Sequence, residues 1–267
     1  MTQYPGYANF KQGSVYEYTP IVPEKAVINT NIGMSMPIRC CIVGPSGSGK
    51  TTFLISFLVK YWDELDIHEI LLFSPKATNK SLLYEKLATQ MGESFQHIEL
   101  DKIPNVSELP NDGKTRIVIF DDISEMQKDK IFQRKLLQYA TYATKTKGLQ
   151  TFYLLHKYKS MMSPAARNSF FVMPGNYKPD VMEIFDQTIP NLNKNDRQEL
   201  IDILESKTYG ALKLSKNVPY NEGKIQLWEN DKIIEIIPNS VNIDLDKNKD
   251  MSSGGIETPH SSELVEY

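Results

Sequence analysis

Short apolar runs alternate with longer amphipathic stretches from residue 37 to about residue 173. A continuous apolar run is typical of a strand buried on both faces, and apolar positions three or four residues apart are typical of a helix. The runs predict strands at Ile38–Val43, Ile70–Phe73, His97–Leu100, Ile117–Phe120, Thr151–Leu155 and Phe170–Met173. The intervening stretches predict helices at Thr51–Trp62, Lys80–Met91 and around Phe132, Leu136, Tyr139, Ala140 and Ala143. Because parallel strands need crossover connections, this alternation predicts an α/β fold with a mostly parallel central sheet flanked by helices.

The last part of the pattern differs, because its strands follow one another closely in the sequence. It predicts helices at Pro179–Phe185 and Asn195–Ser206, and strands at Ala211–Leu214, Lys224–Trp228 and Lys232–Ile237. The last two strands meet through Asn230 and Asp231, which favours a C-terminal β-hairpin. We predict an irregular N-terminal arm over 1–36, one domain over 37–237 and an acidic, disordered tail over 238–267.

Composition argues against wholesale disorder, since 40% of the 267 residues are hydrophobic and 24% are charged. No stretch reaches the ~18 consecutive apolar residues of a membrane span, and the first residues lack the apolar core of a secretory signal. Cys40 and Cys41 are adjacent, so a strand would point them to opposite faces. We therefore expect no disulfide and no metal cluster at these cysteines, and a reducing, intracellular setting.

A glycine-rich motif lies between the first predicted strand and the first predicted helix. It consists of Gly44, Pro45, Ser46, Gly47, Ser48, Gly49, Lys50 and Thr51, followed by Thr52. This order matches the P-loop pattern, in which backbone N–H groups and a helix N-terminus surround nucleotide phosphates. Lys50 would reach the β- and γ-phosphate oxygens, and the Thr51 hydroxyl would ligate Mg²⁺. We predict a site for ATP and Mg²⁺, with a plain glycine-rich turn as the alternative.

Two aspartates follow the apolar run at Ile117–Phe120. Asp121 would hold Mg²⁺ through water, and Asp122 would act as the general base that polarises the attacking water. Either aspartate could instead only cap the turn that follows. Glu125 is close enough in the sequence to compete with Asp122 for the role of base.

Two further candidates follow the strand predicted at Thr151–Leu155. His156 ends that strand, where a polar side chain could lie between the P-loop strand and the acidic strand and sense the γ-phosphate. Arg167 follows a segment of small residues, from which an arginine finger could project into a neighbour's phosphate site. The alternatives are a structural histidine and a surface arginine, with Arg134 and Arg116 as the next candidates for the finger.

The charge is distributed unevenly, although the net charge is only -3. Residues 128–167, which we call the basic stretch, hold nine Lys or Arg and one acidic residue, whereas residues 229–267 hold three and nine. Four tyrosines that could pack on sugars or bases interleave with the basic residues, at Tyr139, Tyr142, Tyr153 and Tyr158. The basic stretch is a candidate surface for DNA contact without sequence specificity, and a solvated charged face is the alternative.

Taken together, these motifs resemble the viral genome-packaging ATPases of the FtsK-HerA superfamily, found in large double-stranded DNA viruses and virophage-like elements. The resemblance rests on GPSGSGKTT at 44–52, IVIFDDI at 117–123, FYLLH at 152–156 and the proline followed by Arg167 and Asn168. It covers roughly residues 37–214 and departs from the family at His156, where glutamine is usual. It implies a self-associating ring that hydrolyses ATP, drives double-stranded DNA into a preformed capsid and docks on capsid vertex proteins. The implied location is the host cytoplasm or a viral factory, or the virion.

An ATP-driven double-stranded DNA translocase that packages a viral genome is therefore the leading interpretation. A small-molecule phosphotransferase such as a nucleotide kinase would use the same P-loop. It would not need a second acid beside the Mg²⁺ ligand, so Asp122 disfavours it. A nucleotide-gated assembly protein with little turnover is the third possibility. DNA-stimulated hydrolysis would distinguish these three classes.

Overall fold

The fold is built on a nine-stranded sheet with helices on both faces. The computed structural model describes residues 27–29, 32–75, 81–123, 126, 129–143, 148–158, 168–176, 178–207, 210–229 and 232–238. Its strands are β1 (Val27–Asn29), β2 (Met34–Met36), β3 (Arg39–Val43), β4 (Glu69–Phe73), β5 (Phe95–Ile98), β6 (Arg116–Asp121), β7 (Leu149–Leu155), β8 (Ser169–Val172), β9 (Ala211–Ser215), β10 (Ile225–Glu229) and β11 (Lys232–Glu235). Its α-helices are α1 (Lys50–Lys60), α2 (Leu82–Met91), α3 (Lys130–Gln138), α4 (Lys178–Thr188) and α5 (Lys194–Glu205). A π-helical segment, Tyr139–Ala143, continues α3.

The order of the strands separates the P-loop strand from the acidic strand. Across the sheet the order is β11-β10-β9-β8-β3-β7-β6-β4-β5. The strands from β8 to β5 are parallel, whereas β9, β10 and β11 pair in antiparallel fashion. The predicted mostly parallel sheet and C-terminal hairpin strands are therefore confirmed. Because β7 pairs with both β3 and β6, its end lies between the ends of those two strands.

Apolar side chains cover both faces of the sheet, which explains why the parallel strands read as continuous apolar runs. On one face, Phe120 of β6 and Tyr153 of β7 stack with their ring centroids 5.0 Å apart. On the other face, Phe57 of α1 packs against aromatic residues of β7, β8 and β10. Cys40 and Cys41 are both buried, one in each of these layers, as the alternation along a strand predicts.

Two differences from the predicted elements have physical causes. Where we predicted only an irregular arm, β1 and β2 form an antiparallel pair, and Ile32 and Met34 beside them are buried. Lys213 of β9 donates hydrogen bonds to carbonyls at this turn, a contact that no local pattern reveals. The strand predicted at His97–Leu100 is β5, two residues earlier, because Leu100 begins a 3₁₀ turn.

Parts of the chain for which we made predictions lie outside the described residues. These are the first 26 residues of the arm, Asn230 and Asp231 of the hairpin turn, and the tail from residue 239. Within the described residues, no helix combines the length and apolar character that crossing a membrane requires.

Candidate functional site

The P-loop connects the end of β3 to the start of α1 at Lys50. Gly44 is packed closely, because a Cβ there would lie 2.7 Å from the Cβ of Met173. Gly47 and Gly49 have φ angles of 76° and 85°, which favour glycine, and a Cβ at either would meet no atom within 4 Å. The loop therefore combines a tight base with an open upper side, which is the shape that backbone capture of phosphates requires.

Lys50 lies inside this loop and is only 7% exposed. Its Nζ donates hydrogen bonds to the carbonyl oxygens of Gly44 and Pro45, each at 2.9 Å. Burial lowers the pKa of Lys50, and the carboxylates of Asp121 and Asp122 act in the opposite direction. The ammonium group thus stands beyond the end of β3, on the side of the two acids at the end of β6.

The two acids differ in environment although they are adjacent. Asp121 is buried, and its Oδ2 accepts a hydrogen bond of 2.8 Å from the hydroxyl of Tyr84. Burial raises the pKa of Asp121, while the hydrogen bond from Tyr84 favours the charged carboxylate. Asp122 has a φ of 50°, in the left-handed region, and its side chain is 49% exposed. One acid is therefore held inside the site, and the other is open to solvent.

His156 follows β7 and lies between Lys50 and Asp122. Its Nδ1 is 3.3 Å from the Nζ of Lys50, and its Nε2 is 3.7 Å from Oδ1 of Asp122. Because an ammonium group only donates hydrogen bonds, Nδ1 must act as the acceptor. The ring proton of a neutral His156 is then on Nε2, which faces Asp122. The structure thus brings three of the predicted site residues together from three different parts of the chain.

Tyr84 is a site residue that sequence reasoning missed. It is fully buried on α2, and its hydroxyl group donates a hydrogen bond to Asp121. The sequence predicts a helix there but contains no motif around Tyr84, so no local signal marks it. Only its contact with the acidic strand shows that it belongs to the site.

Thr51 and Asp121 fit the requirements of a Mg²⁺ ion. A hydroxyl and a carboxylate are hard oxygen ligands, and nucleotide phosphates and waters normally complete the shell of Mg²⁺. The hydrogen bond from Tyr84 holds Oδ2 of Asp121 and leaves Oδ1 for the ion or its water. Among the described residues there is no cluster of three or more His, Cys, Asp or Glu suited to a metal ion. These two residues would hold the Mg²⁺ ion that accompanies a nucleotide.

An open groove of about 720 Å³ runs beside the P-loop. Its lining residues are Pro45, Ser46, His156, Lys157, Gly175, Asn176, Lys178 and Glu205. The groove thus reaches from the phosphate loop and His156 to the N-terminus of α4 and the end of α5. Three of its side chains are basic or can become so, which suits an anionic occupant.

The finger candidates are only partly described. Arg167 lies outside the described residues, as does Glu125, the competing base. Arg116, an alternative finger, is 3% exposed and is paired with Glu69 and Asp112 at the start of β6. Its guanidinium is therefore already engaged within its own subunit, and a finger role for Arg116 stays a prediction.

The tyrosines of the basic stretch are also not where we expected them. Tyr139, Tyr153 and Tyr158 are buried in the core, each at most 2% exposed. They are core residues, so their predicted packing on sugars or bases is wrong. The side chain of Tyr142 lies outside the described residues. Among the basic residues of this stretch, Lys130 and Arg134 of α3 are exposed.

The fold and site together define a P-loop NTPase whose acidic strand is separated from the P-loop strand by one strand. The family model described as "Poxvirus A32 protein" matches residues 28–214. The chain therefore belongs to the Poxvirus A32 protein family. This match confirms the resemblance to viral genome-packaging ATPases that the motifs indicated.

Comparisons with solved structures give distant likenesses. The genome packaging NTPase B204 from Sulfolobus turreted icosahedral virus 2, in complex with ATP-gammaS, is 13% identical, with a TM-score of 0.48, and the match covers 76% of this chain and 98% of that chain. EssC (ATPases 2 and 3) from Geobacillus thermodenitrificans is 12% identical, with a TM-score of 0.46, covering 80% of this chain and 44% of that one. A search of curated protein sequences finds no match. The assignment therefore depends on the family match.

Proposed function

We propose that this protein is an ATPase that drives double-stranded DNA into a preformed viral capsid. The observation that carries the proposal is the contact of His156 with both Lys50 and Asp122 at the end of the P-loop strand. A phosphate-binding lysine and a solvent-exposed acid are thereby coupled through one imidazole. Membership of the Poxvirus A32 protein family supports the choice of packaging over other NTPase functions.

The proposed chemistry is hydrolysis of the γ-phosphoryl group by water. Lys50 would exchange its bonds to the Gly44 and Pro45 carbonyls for bonds to phosphate oxygens. Asp122 would accept a proton from the attacking water as the water oxygen bonds to phosphorus and the bond to the ADP oxygen breaks. Bound Mg²⁺ supplies charge neutralisation on the phosphates.

His156 would help to orient the carboxylate of Asp122 when a nucleotide is bound. With Nδ1 facing Lys50, the Nε2–H group faces Oδ1 of Asp122 at 3.7 Å, a distance that would have to shorten for a hydrogen bond to form. A glutamine, which is usual at this position in the resembling family, also offers one donor and one acceptor. Histidine at position 156 is therefore compatible with the same sensor role.

The DNA surface we propose is the basic stretch. Lys130 and Arg134 are exposed, whereas the buried tyrosines leave no described aromatic ring for base stacking. Contact would then be made by cations with phosphates, which gives affinity without sequence preference. That property suits a motor that must move along an entire genome.

The test is ATP turnover by the full chain with and without double-stranded DNA. We expect DNA to raise turnover and Lys50→Ala to abolish it, because that variant lacks the cation facing the β- and γ-phosphates. Lys86→Ala, which removes an exposed lysine on α2, is the matched control and should behave as wild type. Phosphate transfer to an added nucleoside monophosphate would instead indicate a kinase. Nucleotide binding with no turnover under either condition would indicate an assembly protein.

A further inference from the structure

The hydroxyl group of Tyr84 contacts one of the two residues that would hold Mg²⁺. It donates a hydrogen bond of 2.8 Å to Oδ2 of Asp121, a buried carboxylate. Tyr84 has no exposed surface, and its ring packs in the core layer that also contains Leu87 of α2. Its position is therefore set by the packing of α2 and does not depend on a bound ligand.

The direction of this hydrogen bond follows from the chemistry of its two partners. A phenol has one hydrogen, and that of Tyr84 is donated to Asp121, whose carboxylate can only accept. The hydrogen bond therefore occupies Oδ2 and fixes the orientation of the carboxylate. Asp121 keeps its second oxygen, Oδ1, for a metal-bound water.

We propose that Tyr84 is a positioning residue that orients Asp121 for Mg²⁺ before the ion arrives. This inference rests on the proposed nucleotide site. Groups that orient metal ligands through hydrogen bonds typically contribute 10- to 100-fold to metal affinity. The opposite possibility is that the phenol competes with the ion for the carboxylate of Asp121, and the two possibilities predict changes of opposite sign.

The experiment measures the affinity of Mn²⁺ for the full chain by electron paramagnetic resonance, in the presence of a non-hydrolysable ATP analogue. We expect Tyr84→Phe to weaken Mn²⁺ binding about 10-fold or more, while metal-free binding of the analogue stays unchanged. The matched control is Tyr139→Phe, because Tyr139 is another fully buried tyrosine and its hydroxyl donates to the Pro104 carbonyl, away from the site. That variant should bind Mn²⁺ as wild type does.

The outcomes separate this inference from the proposed function. Unchanged or tighter Mn²⁺ binding by Tyr84→Phe, with a wild-type protein that binds normally, overturns the positioning role. A wild-type protein that binds neither the analogue nor Mn²⁺ overturns the nucleotide site as well. If Tyr84→Phe does not fold, 3-fluorotyrosine at position 84 preserves the hydroxyl. Its ¹⁹F resonance should shift when Mg²⁺ is added to the complex with the analogue, and a resonance that does not shift contradicts the inference.

Discussion

Asp122 occupies a left-handed backbone position that few residues with side chains adopt readily. Asp and Asn are the exceptions, because their short polar side chains can bond locally. All residues of β6, including Asp121, are buried, whereas the turn at Asp122 brings the side chain of Asp122 to the surface. Neighbouring carboxylates in unlike environments can take unlike roles, and the roles we propose here are metal binding for Asp121 and proton acceptance for Asp122.

Replacing Asp122 by Asn tests the second role. Asn tolerates the same φ, so we expect Asp122→Asn to fold and to bind ATP with unchanged affinity. Hydrolysis should slow by ~10² or more, since the proton acceptor is lost. Single-turnover hydrolysis and nucleotide titration measure the two quantities separately.

The matched control is Asp66→Asn. Asp66 also has a left-handed φ, 49°, and lies in the turn before β4, away from the site. The Asp66→Asn variant should hydrolyse ATP at the wild-type rate. If Glu125→Gln slows hydrolysis in this way and Asp122→Asn does not, the base is Glu125.

Among the elements, β9 has a second function besides completing the sheet. The Nζ of its Lys213 shares its three hydrogens among four oxygens, the carbonyls of Ile32, Gly33 and Gly223 and Oε1 of Gln226. This one ammonium group joins the turn between β1 and β2 to β9 and β10. Burial lowers the pKa of Lys213 to about 7, far below that of a lysine in water.

This depressed pKa predicts how stability depends on pH. Between pH 7 and about 10 the unfolded chain binds the lysine proton more tightly than the folded chain does, so stability from this group rises with pH. The increase should reach about 1.4 kcal/mol per pH unit. The measurement is urea unfolding at pH 7, 8 and 9. We expect the free energy of unfolding of the wild type to increase with this slope relative to that of Lys213→Met.

Lys86→Met, which replaces an exposed lysine, is the control, and its free energy of unfolding should differ from that of wild type by the same amount at every pH. If the difference in free energy of unfolding between wild type and Lys213→Met also stays constant, Lys213 keeps its proton throughout this range. In that case the four oxygen acceptors outweigh the cost of burial.

At the scale of the whole molecule, the start of β8 is fixed to the start of β3. Asn168 stands beside Arg39, and its buried side-chain amide forms hydrogen bonds with backbone groups of residues 35, 37 and 39. The P-loop lies at the other end of β3. Arg167 itself lies outside the described residues, and its action as a finger on the phosphate site of a neighbouring subunit stays a prediction from the sequence.

Mixing two inactive variants tests such an assembly. Arg167→Ala should bind ATP without hydrolysing it, because a finger contributes ~10³ to 10⁵ in rate. Lys50→Ala has an intact finger, so combining the two proteins should restore part of the turnover at mixed interfaces. Turnover is measured against protein concentration, with co-assembly checked by light scattering. Normal activity of Arg167→Ala alone, or an inactive mixture that co-assembles, would move the finger elsewhere, with Arg134 the next candidate.

The sequence by itself determined the type of fold and the outline of the site. Strands buried on both faces need continuous apolar runs, and phosphate capture needs glycines and a lysine at fixed local spacing. These are short-range requirements, so the parallel sheet, the P-loop and the acidic pair at Asp121 and Asp122 could be predicted. The contact of His156 with Lys50 could be anticipated only in outline, from the expected order of the strands.

Only the tertiary structure decided which distant residues contact each other, at the site and elsewhere in the sheet. At the site, Tyr84 contacts Asp121 from 37 positions away. At the turn before β2, Lys213 contacts Gly33 from 180 positions away, so neither contact leaves a local pattern. The buried tyrosines of the basic stretch make the same point. Basic and aromatic residues interleave in the same way in a DNA-binding surface and in a segment that packs its aromatic side chains into a core. Periodicity shows that a side chain can be buried, but the residues it is buried against depend on how the strands are ordered in space.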